Sequence, residues 1–509
     1  MTPASADSKT SQAAAAGATT LDEIFGQTAA RRPDALAIVD PPDRLSFTAG
    51  AARRLTYADI DRAATNVALR LGALRLPPGS VIAVQLPNIA EIMAALLGAW
   101  RAGFAVALVP LLWRQAEASP ALRQVGARAL ITAGRIGGAD YGEVALRIAS
   151  DTFSLRFVCA FGEKVPDGMV PLGNVFVESA AHLALPVHRR TGASIAAITF
   201  EIGQKGPFPV PHSHAELLVG GFTVVVEAGL RRQAAIAGAM LISSFVVLAS
   251  TIVPWLLTGG ALSLHQPFDT ATLGVQLAEA RADAIVLPGP LAAALAESAG
   301  VAQARATILA VWRSPERQRS AKRWRGEEAL VDVLAFGEQG LIALRRGADG
   351  LPAALGGGVA RVPSGSGDGT VVMNVARTQA GTLALSGPMV PAPWTLEPRD
   401  IAAGAGRSVD TRFACRLDPT MNTLILSGGP PGIVSIGGYR FVMQELQDVV
   451  GRVEPDAVLA ALPDLLAGQK LVGAAADAAA VWEALAALGV SPLVSGAFGR
   501  PEAKRAPVA

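Results

Sequence analysis

The sequence has few of the residues that build disulfide-linked, zinc-binding or nucleic-acid-binding proteins. Its 509 residues include two cysteines, Cys159 and Cys415, which lie far apart and form no C-x-x-C motif. Two isolated cysteines exclude a disulfide framework and a cysteine-based zinc site, and they indicate buried thiols in a reducing compartment, the cytoplasm. The 44 basic residues nearly balance the 42 acidic ones, which gives a net charge of +2. Nothing in this balance points to a nucleic-acid partner.

Aromatic residues are also scarce, at 5% of the chain, although 51% of the residues are hydrophobic. Alanine, valine and leucine therefore supply most of the apolar surface, a composition typical of helix-rich α/β proteins. The chain is long enough to form two or more domains with a large core. Residues 1–19 are rich in alanine, serine and threonine and contain no apolar segment of the kind found in secretory signals. We predict that they form a disordered tail.

Charge is absent from one long stretch, residues 234–264, whose length would allow it to cross a bilayer. Pro254, the pair at 259–260 (Gly-Gly) and the pair at 243–244 (Ser-Ser) interrupt it. Because a membrane-spanning helix tolerates few such interruptions, we predict that the stretch is buried core rather than a membrane span.

Strand and helix signatures alternate along the first third of the chain. Thr56 and Asp59 form a capping box ahead of a helix that has one apolar face. A continuous apolar strand at 81–86 and a helix at 89–102 follow it, and further strands come after them. This alternation predicts a parallel sheet covered by helices, and therefore an α/β fold.

The chain is organised around residues 195–214, which read IAAITFEIGQKGPFPVPHSH. The apolar run at 195–200 predicts a buried strand, and Gly203, Lys205 and Gly206 lie in the glycine-rich loop expected after it. A helix is expected after the loop, and this order of elements suits phosphate binding by backbone N–H groups. Lys205 could meet a phosphate or a carboxylate there, and an exposed loop lysine is the alternative.

Residues 195–214 resemble the nucleotide loop of the adenylate-forming superfamily of acyl-CoA synthetases, which reads roughly TSGTTGxPKG before an HSH-like segment. The stretch LTYADIDRAATNVALRLGALRLPPGSVIAVQLPN resembles the start of those enzymes, and the resemblance extends from Leu21 to about Gly473. It implies an N-terminal domain at 20–428, built of two sheet-and-helix subdomains and a small barrel-like one. A shortened α+β C-terminal domain is implied at 429–509.

The resemblance implies an activity and its cofactors as well. Members activate a carboxylic acid with ATP and Mg, pass through an acyl-AMP and transfer the acyl group to CoA, often in fatty acid metabolism. The implied partners are a small carboxylic acid or acyl group and an acyl carrier protein.

Several site residues follow from the resemblance. Glu338 matches the acid that helps to hold Mg on ATP, as a hard oxygen ligand should, and a solvated loop glutamate is the alternative. Gly437 and Gly438 match the turn that follows the hinge between the two domains. The catalytic lysine of the family lies near the C-terminus, where this chain offers Lys504.

Other positions depart from the family pattern at the nucleotide. Glu201, Ile202 and Gln204, together with Lys205, stand where the family has hydroxyl-bearing loop residues. Phe413 stands in the place of the ribose-binding acid, and a phenyl ring cannot accept hydrogen bonds from two hydroxyls. Asp410 could replace that acid only through a shifted register.

Further departures concern the adenine, the hinge and the catalytic lysine. Leu334 replaces the adenine-stacking tyrosine, and Gly337 replaces the threonine before Glu338. The Gly-Gly-Pro-Pro run at 428–431 replaces the hinge arginine and stiffens the place where the small domain rotates. Lys504 lacks the Gly-Lys turn of the family, so a solvated tail lysine is its alternative reading.

The two histidines after the central loop could act as acid or base near neutral pH. Because no partner acid accompanies them, we expect His212 and His214 to have structural roles. Two hypotheses therefore remain open for the whole chain: an acid–thiol ligase with altered ATP contacts, and a non-catalytic homologue that binds an acyl group, an acyl carrier or a partner enzyme.

Overall fold

The structure, a computed structural model, describes residues 19–499 except 49, 163–164, 180–189, 297–304, 363–368, 396–407, 422 and 465–466. Lys504 and all but the last residue of the predicted tail lie outside the described residues. Strands are numbered β1 to β27 and helices α1 to α14 along the chain.

A seven-stranded sheet forms the first layer, and the predicted alternation of strands and helices is confirmed there. Its strands are β3 (Val81–Val84), β4 (Ala105–Leu108), β5 (Ala129–Ala133), β8 (Phe157–Phe161), β9 (Val170–Pro171), β10 (Ile195–Gly203) and β11 (Gly206–Ser213). They lie in the order β11-β10-β4-β3-β5-β8-β9, and every neighbouring pair except β10 and β11 is parallel. The accompanying helices are α3 (Tyr57–Ala73), α4 (Ala90–Arg101), α5 (Gln115–Gln124) and α6 (Tyr141–Ser150).

An eight-stranded sheet forms the second subdomain. Its strands are β1 (Leu36–Val39), β2 (Arg54–Thr56), β12 (Ile236–Gly238), β13 (Leu262–Leu264), β14 (Ala284–Pro288), β15 (Thr307–Trp312), β16 (Leu330–Ala335) and β17 (Leu341–Arg345). Their order is β17-β16-β15-β14-β12-β13-β1-β2. The helices of this region are α1 (Leu21–Arg31), α2 (Arg44–Phe47), α7 (His214–Ala228), α8 (Phe245–Val247), α9 (Val253–Thr258), α10 (Thr270–Ala280) and α11 (Gly289–Ala296).

The uncharged stretch at 234–264 belongs to the core, as predicted. It forms β12, α8, a π-helical turn at Leu248–Ile252, α9 and β13. Trp255 is fully buried and packs on Phe25 and Tyr57, and its indole N–H donates to the carbonyl of Gly260. Among the described residues, no helix combines the length and apolarity that crossing a bilayer requires.

Two smaller sheets follow. A six-stranded antiparallel sheet contains β18 (Leu355–Gly356), β19 (Gly358–Val362), β20 (Thr370–Arg377), β21 (Thr382–Ser386), β22 (Ser408–Asp418) and β23 (Thr423–Gly428). A four-stranded sheet contains β24 (Ile433–Ile436), β25 (Tyr439–Val442), β26 (Val458–Asp464) and β27 (Gly468–Ala474). Three helices accompany the latter: α12 (Met443–Val453), α13 (Ala478–Ala487) and α14 (Pro492–Ser495). A two-stranded ribbon, β6 (Arg135–Ile136) with β7 (Ala139–Asp140), completes the strands.

The cores follow this division. One cluster of buried side chains joins the first three sheets, whereas a separate cluster, made of residues between 434 and 498, lies within the four-stranded sheet and its helices. We call the unit from β24 to residue 499 the small C-terminal unit. The predicted boundary at 429 stays a prediction, although the first strand of this unit begins at Ile433.

Candidate functional site: a charge cluster between the large and small units

The central stretch folds differently from the prediction after its first strand. The strand at 195–200 is confirmed as part of β10, but β10 and β11 form a hairpin whose register ends at Gly203 opposite Gly206. The glycine-rich loop is therefore a two-residue turn made of Gln204 and Lys205. The predicted loop is shorter than expected because β10 continues to Gly203 and β11 begins at Gly206. The prolines at 207, 209 and 211 lie in β11, an edge strand, where proline is tolerated.

The predicted residues of the turn lie at the tip of this hairpin. Lys205 is exposed, and Gly206 has φ +86°, a conformation that favours glycine. A Cβ atom on Gly206 would lie 3.7 Å from the carboxylate oxygens of Glu445 in α12, so the tip reaches the small C-terminal unit. Phosphate binding by Gly203, Lys205 and Gly206 stays a prediction.

Glu338 lies in the turn after β16 and is only 1% exposed. Its Oε2 accepts a hydrogen bond from the backbone N–H of Phe245 (2.7 Å), at the start of α8. Its Oε1 accepts one from Nη2 of Arg313 at 3.0 Å. Burial raises the pKa of the Glu338 carboxyl, while the nearby Arg313 guanidinium lowers it. This side chain is not the solvated loop glutamate that one reading of the sequence allowed.

A second carboxylate, Glu201 of β10, faces the same turn. Its Oε2 accepts the backbone N–H of Glu338 at 2.7 Å, and its Oε1 accepts Nη1 of Arg440 at 2.8 Å. Arg440 comes from β25 in the small C-terminal unit, and its Nη2 donates to the carbonyl oxygen of Arg313 at 2.8 Å. Two carboxylates and two guanidinium groups thus meet in one network, which we call the charge cluster (Glu201, Arg313, Glu338 and Arg440).

The position of the charge cluster is that of a ligand site in an α/β protein. Arg313 directly follows β15, and Glu338 follows β16, so both lie at the carboxyl ends of neighbouring parallel strands. Ligands bind in the crevice at these ends. In this protein the crevice holds the protein's own charged side chains, since Glu201 is 12% exposed and Arg440 5% exposed.

The surroundings of Glu338 do not favour the predicted Mg site. Both of its oxygens already accept hydrogen bonds from protein donors. Within the part of the chain that the structure describes, no three His, Cys, Asp or Glu side chains are grouped as metal ligands would be. The role of Glu338 in holding Mg therefore stays a prediction.

Phe413 occupies the position expected for the ribose-binding acid. It lies in β22, is 1% exposed, and packs edge-to-face on Phe336 with 5.8 Å between ring centroids. The guanidinium carbon of Arg440 lies 5.7 Å from the Phe413 ring. Asp410 is exposed, and its carboxylate accepts hydrogen bonds from Oγ1 of Thr382 and from the N–H of Arg412. Its replacement of the acid through a shifted register stays a prediction.

Gly437 and Gly438 form the turn between β24 and β25, with φ +55° and +95°. A Cβ atom on Gly438 would lie 3.4 Å from Cδ of Arg313. The two predicted glycines therefore let the small C-terminal unit approach the charge cluster closely and bring Arg440 within reach of Glu201. A direct role of Gly437 and Gly438 in holding a cofactor stays a prediction.

The two histidines have the structural surroundings that we expected from the sequence. His212 is fully buried, stacks on Phe245, and shares a 2.9 Å hydrogen bond between its Nε2 and Oγ1 of Thr199. Nδ1 of His214 accepts the backbone N–H of Leu21 at 3.1 Å. Burial lowers the pKa of His212 to about 3 and that of His214 to about 4, so both imidazoles are neutral at physiological pH.

Comparisons with known proteins agree with this architecture. A family model described as "AMP-binding enzyme" matches residues 25–200. The salicyl-AMP ligase / salicyl-S-ArCP synthetase of Mycobacterium tuberculosis is 32% identical over 147 residues, which are 29% of this chain and 25% of that protein. The chain thus matches about a quarter of the length of this curated relative.

Solved structures cover more of the chain. The apo structure of Mycobacterium smegmatis MbtA is 21% identical and has a TM-score of 0.63, covering 99% of this chain and 94% of that chain. The anthranilate CoA ligase AuaEII, solved in complex with anthranoyl-AMP, is 15% identical and has a TM-score of 0.64, with coverage of 90% and 86%. Residues 25–200 thus match the AMP-binding enzyme family, and the solved structures show that the chain has the fold of the adenylate-forming superfamily. Its two-sheet body, antiparallel third sheet and small C-terminal unit are the fold of that family.

The sequence reasoning missed the two arginines of the charge cluster. Arg313 directly follows the buried apolar strand TILAVW, and a charged residue at the carboxyl end of a parallel strand is a signal for a site at the sheet edge. Arg440 follows the Gly437–Gly438 turn by two residues, but nothing in the sequence indicates that it pairs with Glu201, which lies 239 residues away.

Proposed function

We propose that this chain is a non-catalytic member of the adenylate-forming superfamily, which binds a small carboxylic acid or acyl group, or a carrier protein bearing one, without forming an adenylate. One observation carries the proposal: Glu201 and Glu338 of the charge cluster, and Phe413, occupy positions at which the resemblance implies contacts to the nucleotide, and their side chains already have protein partners. The fold is retained while the groups that would meet ATP have other partners.

Most of the donors that a phosphate would need already have an acceptor in the charge cluster. The backbone N–H groups of Ile202 and Glu338 donate to Glu201, and the N–H of Phe245 donates to Glu338. Arg313 and Arg440 are each paired with one of the two carboxylates. These carboxylates therefore act as internal anions, and a triphosphate would have to displace them against like-charge repulsion.

The hydroxyls of the ATP ribose also lack the carboxylate that would accept their hydrogen bonds. Phe413 offers no lone pair, and its ring is buried against Phe336. A hydrogen bond to a charged group contributes about 1.5–3 kcal/mol, so the loss of several of them removes most of the affinity for ATP.

Isothermal titration calorimetry with ATP-Mg and with AMP tests the proposal. We expect no saturable heat at submillimolar nucleotide. Glu201→Gln serves as a matched variant, because it keeps the shape of the side chain while removing one internal anion; any nucleotide affinity should be stronger in that variant than in wild type. Submillimolar binding of ATP-Mg by the wild-type protein would refute the proposal.

An ATP-dependent ligase for an aromatic acid is the second candidate. It is favoured by the relatives, since a salicyl-AMP ligase and an anthranilate CoA ligase share stretches of sequence or the fold with this chain. A ligase would have to open the Arg440–Glu201 contact before nucleotide could enter. Pyrophosphate exchange with salicylate and anthranilate separates the two candidates, because only a ligase exchanges label into ATP.

A further inference from the structure

A cavity of about 150 Å³ lies between the large body and the small C-terminal unit, beside the charge cluster. On one side it is lined by Trp113, residues of α5 and the tip of the β10–β11 hairpin. On the other side it is lined by β25, α12 and Val490. A cavity of this size accommodates one benzene-sized group.

The walls of the cavity are mostly apolar. Trp113, Ile202, Phe441 and Leu446 are all less than 10% exposed and contribute aromatic or branched aliphatic surface. Apolar walls with a few placed polar groups are the usual composition of a small-molecule site.

Arg440 supplies a polar group without a partner. Its Nη1 and Nη2 bond Glu201 and the carbonyl of Arg313, whereas its buried Nε has no hydrogen-bond acceptor among the residues that the structure describes. A buried N–H donor that lacks an acceptor is costly, so an oxygen atom supplied by a ligand would be stabilised there.

The charges around the cavity decide which kind of oxygen fits. The guanidinium of Arg440 is already paired with Glu201, and Glu117 and Glu445 also line the cavity. A second anion would meet these carboxylates, whereas an uncharged carbonyl oxygen can accept from Nε without adding charge. Burial raises the pKa of Glu117 to about 7, which leaves it partly ionised at neutral pH.

We propose that this interdomain cavity binds a benzene-sized apolar group that carries an uncharged carbonyl oxygen, as in an aryl amide, ester or thioester, with the oxygen accepting from Nε of Arg440. The ligand class rests on the proposed function, in which the chain holds an acyl group that it does not activate. The cavity shares Arg440 with the charge cluster, while its other lining residues lie outside the cluster. The two proposals concern different ligands, so they fail separately.

Methyl NMR of the full chain tests the inference, with benzamide as the probe and benzoate and toluene as matched comparisons. Benzamide has few heavy atoms, so we expect a Kd of about 1 mM. The largest chemical-shift changes should occur at the methyl groups of Val442, Leu446 and Val449, which line the cavity. Toluene should bind about tenfold more weakly because it lacks the acceptor, and benzoate should bind more weakly because it adds a charge.

Cavity-filling variants provide the control. Val449→Phe, and independently Ala116→Leu from the opposite wall, should abolish benzamide binding. Val458→Phe makes the same Val-to-Phe change on the exposed face of β26 and should leave binding unchanged. Two filling variants are used so that a folding defect in one leaves the test intact.

The inference is overturned if benzamide causes no saturable chemical-shift change at about 10 mM, which is ten times the expected Kd. It is also overturned if toluene or benzoate binds as tightly as benzamide. Benzamide binding that persists in both filling variants would overturn it as well. The ATP titration is read separately. Binding of ATP refutes the non-catalytic function whether or not benzamide binds, and absence of benzamide binding refutes this inference whether or not ATP binds.

Discussion

Removing the Arg440 guanidinium should release the small C-terminal unit from the large body. Arg440→Met keeps much of the aliphatic length and deletes the contacts to Glu201 and to the carbonyl of Arg313. It also removes the guanidinium that lies over the ring of Phe413. These are contacts between two units with separate cores, so their loss acts on docking rather than on either core.

The size of the effect follows from the burial of the pair. Arg440 and Glu201 are 5% and 12% exposed, so solvent screens their interaction little. Breaking a buried pair by removing one partner costs about 3–5 kcal/mol, because the other charge is left uncompensated. Glu201 keeps the N–H groups of Ile202 and Glu338 as donors, which places the expected cost at about 3 kcal/mol, at the lower end of that range.

Hydrogen exchange at two interdomain amides measures this cost directly. The N–H of Ser491 donates to Oε1 of Glu117, and the N–H of Leu112 donates to the Tyr439 hydroxyl. Both hydrogen bonds cross the interface and open when the small C-terminal unit undocks. Since 1.4 kcal/mol corresponds to a factor of ten, a cost of about 3 kcal/mol predicts exchange about 100-fold faster at both amides in Arg440→Met.

Arg452→Met is the matched control. Arg452 lies in the same unit on the exposed face of α12, and its one hydrogen bond to the described part of the chain goes to the carbonyl of Asp448 in its own helix. We expect a change of less than about 0.5 kcal/mol in that variant. The reasoning is refuted if Arg440→Met speeds hydrogen exchange at the two amides by less than about threefold. It is also refuted if the increase is no larger than the one that Arg452→Met produces. Either result would show that the charge cluster does not hold the two units together.

Three further predictions follow from single residues. Burial raises the pKa of Glu117 to about 7 from the ordinary 4.5, so the folded state retains this proton more tightly than the unfolded state. The contribution of Glu117 to stability therefore falls as pH rises from about 4.5 to about 7 and is constant above that. In denaturant titrations, Glu117→Gln should reduce the fall of the free energy of unfolding between about pH 4.5 and pH 7. The same fall in the variant as in wild type would contradict this prediction. Phe413→Ala should destabilise the body by about 3–5 kcal/mol in urea unfolding, because it empties a buried site; a loss below about 1 kcal/mol would show that the Phe336 contact matters little. Lys504→Ala should leave pyrophosphate exchange at the level of wild type over a panel of short, long and aromatic acids. In a ligase this change would cost several powers of ten, or about 4 kcal/mol or more of barrier, so turnover by wild type that is abolished in the variant would restore the catalytic reading.

Local rules in the sequence determined most of the scaffold. Thr56 and Asp59 form the predicted capping box, with Oγ1 of Thr56 accepting the Asp59 N–H at 3.2 Å and Oδ2 of Asp59 accepting the Thr56 N–H at 2.9 Å. Such contacts span three residues, so the chemistry of the segment fixes them wherever it folds. The alternation of apolar strands and helices likewise predicted a parallel sheet, and the proline, glycine and serine interruptions at 234–264 predicted that this uncharged stretch is buried core.

Tertiary structure decided what the candidate site contains. Whether the prolines of β11 break a strand or lie in one depends on an unpaired sheet edge, which no local pattern specifies. Glu201, Arg313, Glu338 and Arg440 come from four separate elements. The resemblance drew attention to Glu338 and to the loop that contains Glu201, but no local pattern brings the four side chains together. They form a buried network only because β25 packs against β10 and the turn after β16. The two ion pairs span 25 and 239 residues, so they depend on the fold and leave no periodic signal in the chain.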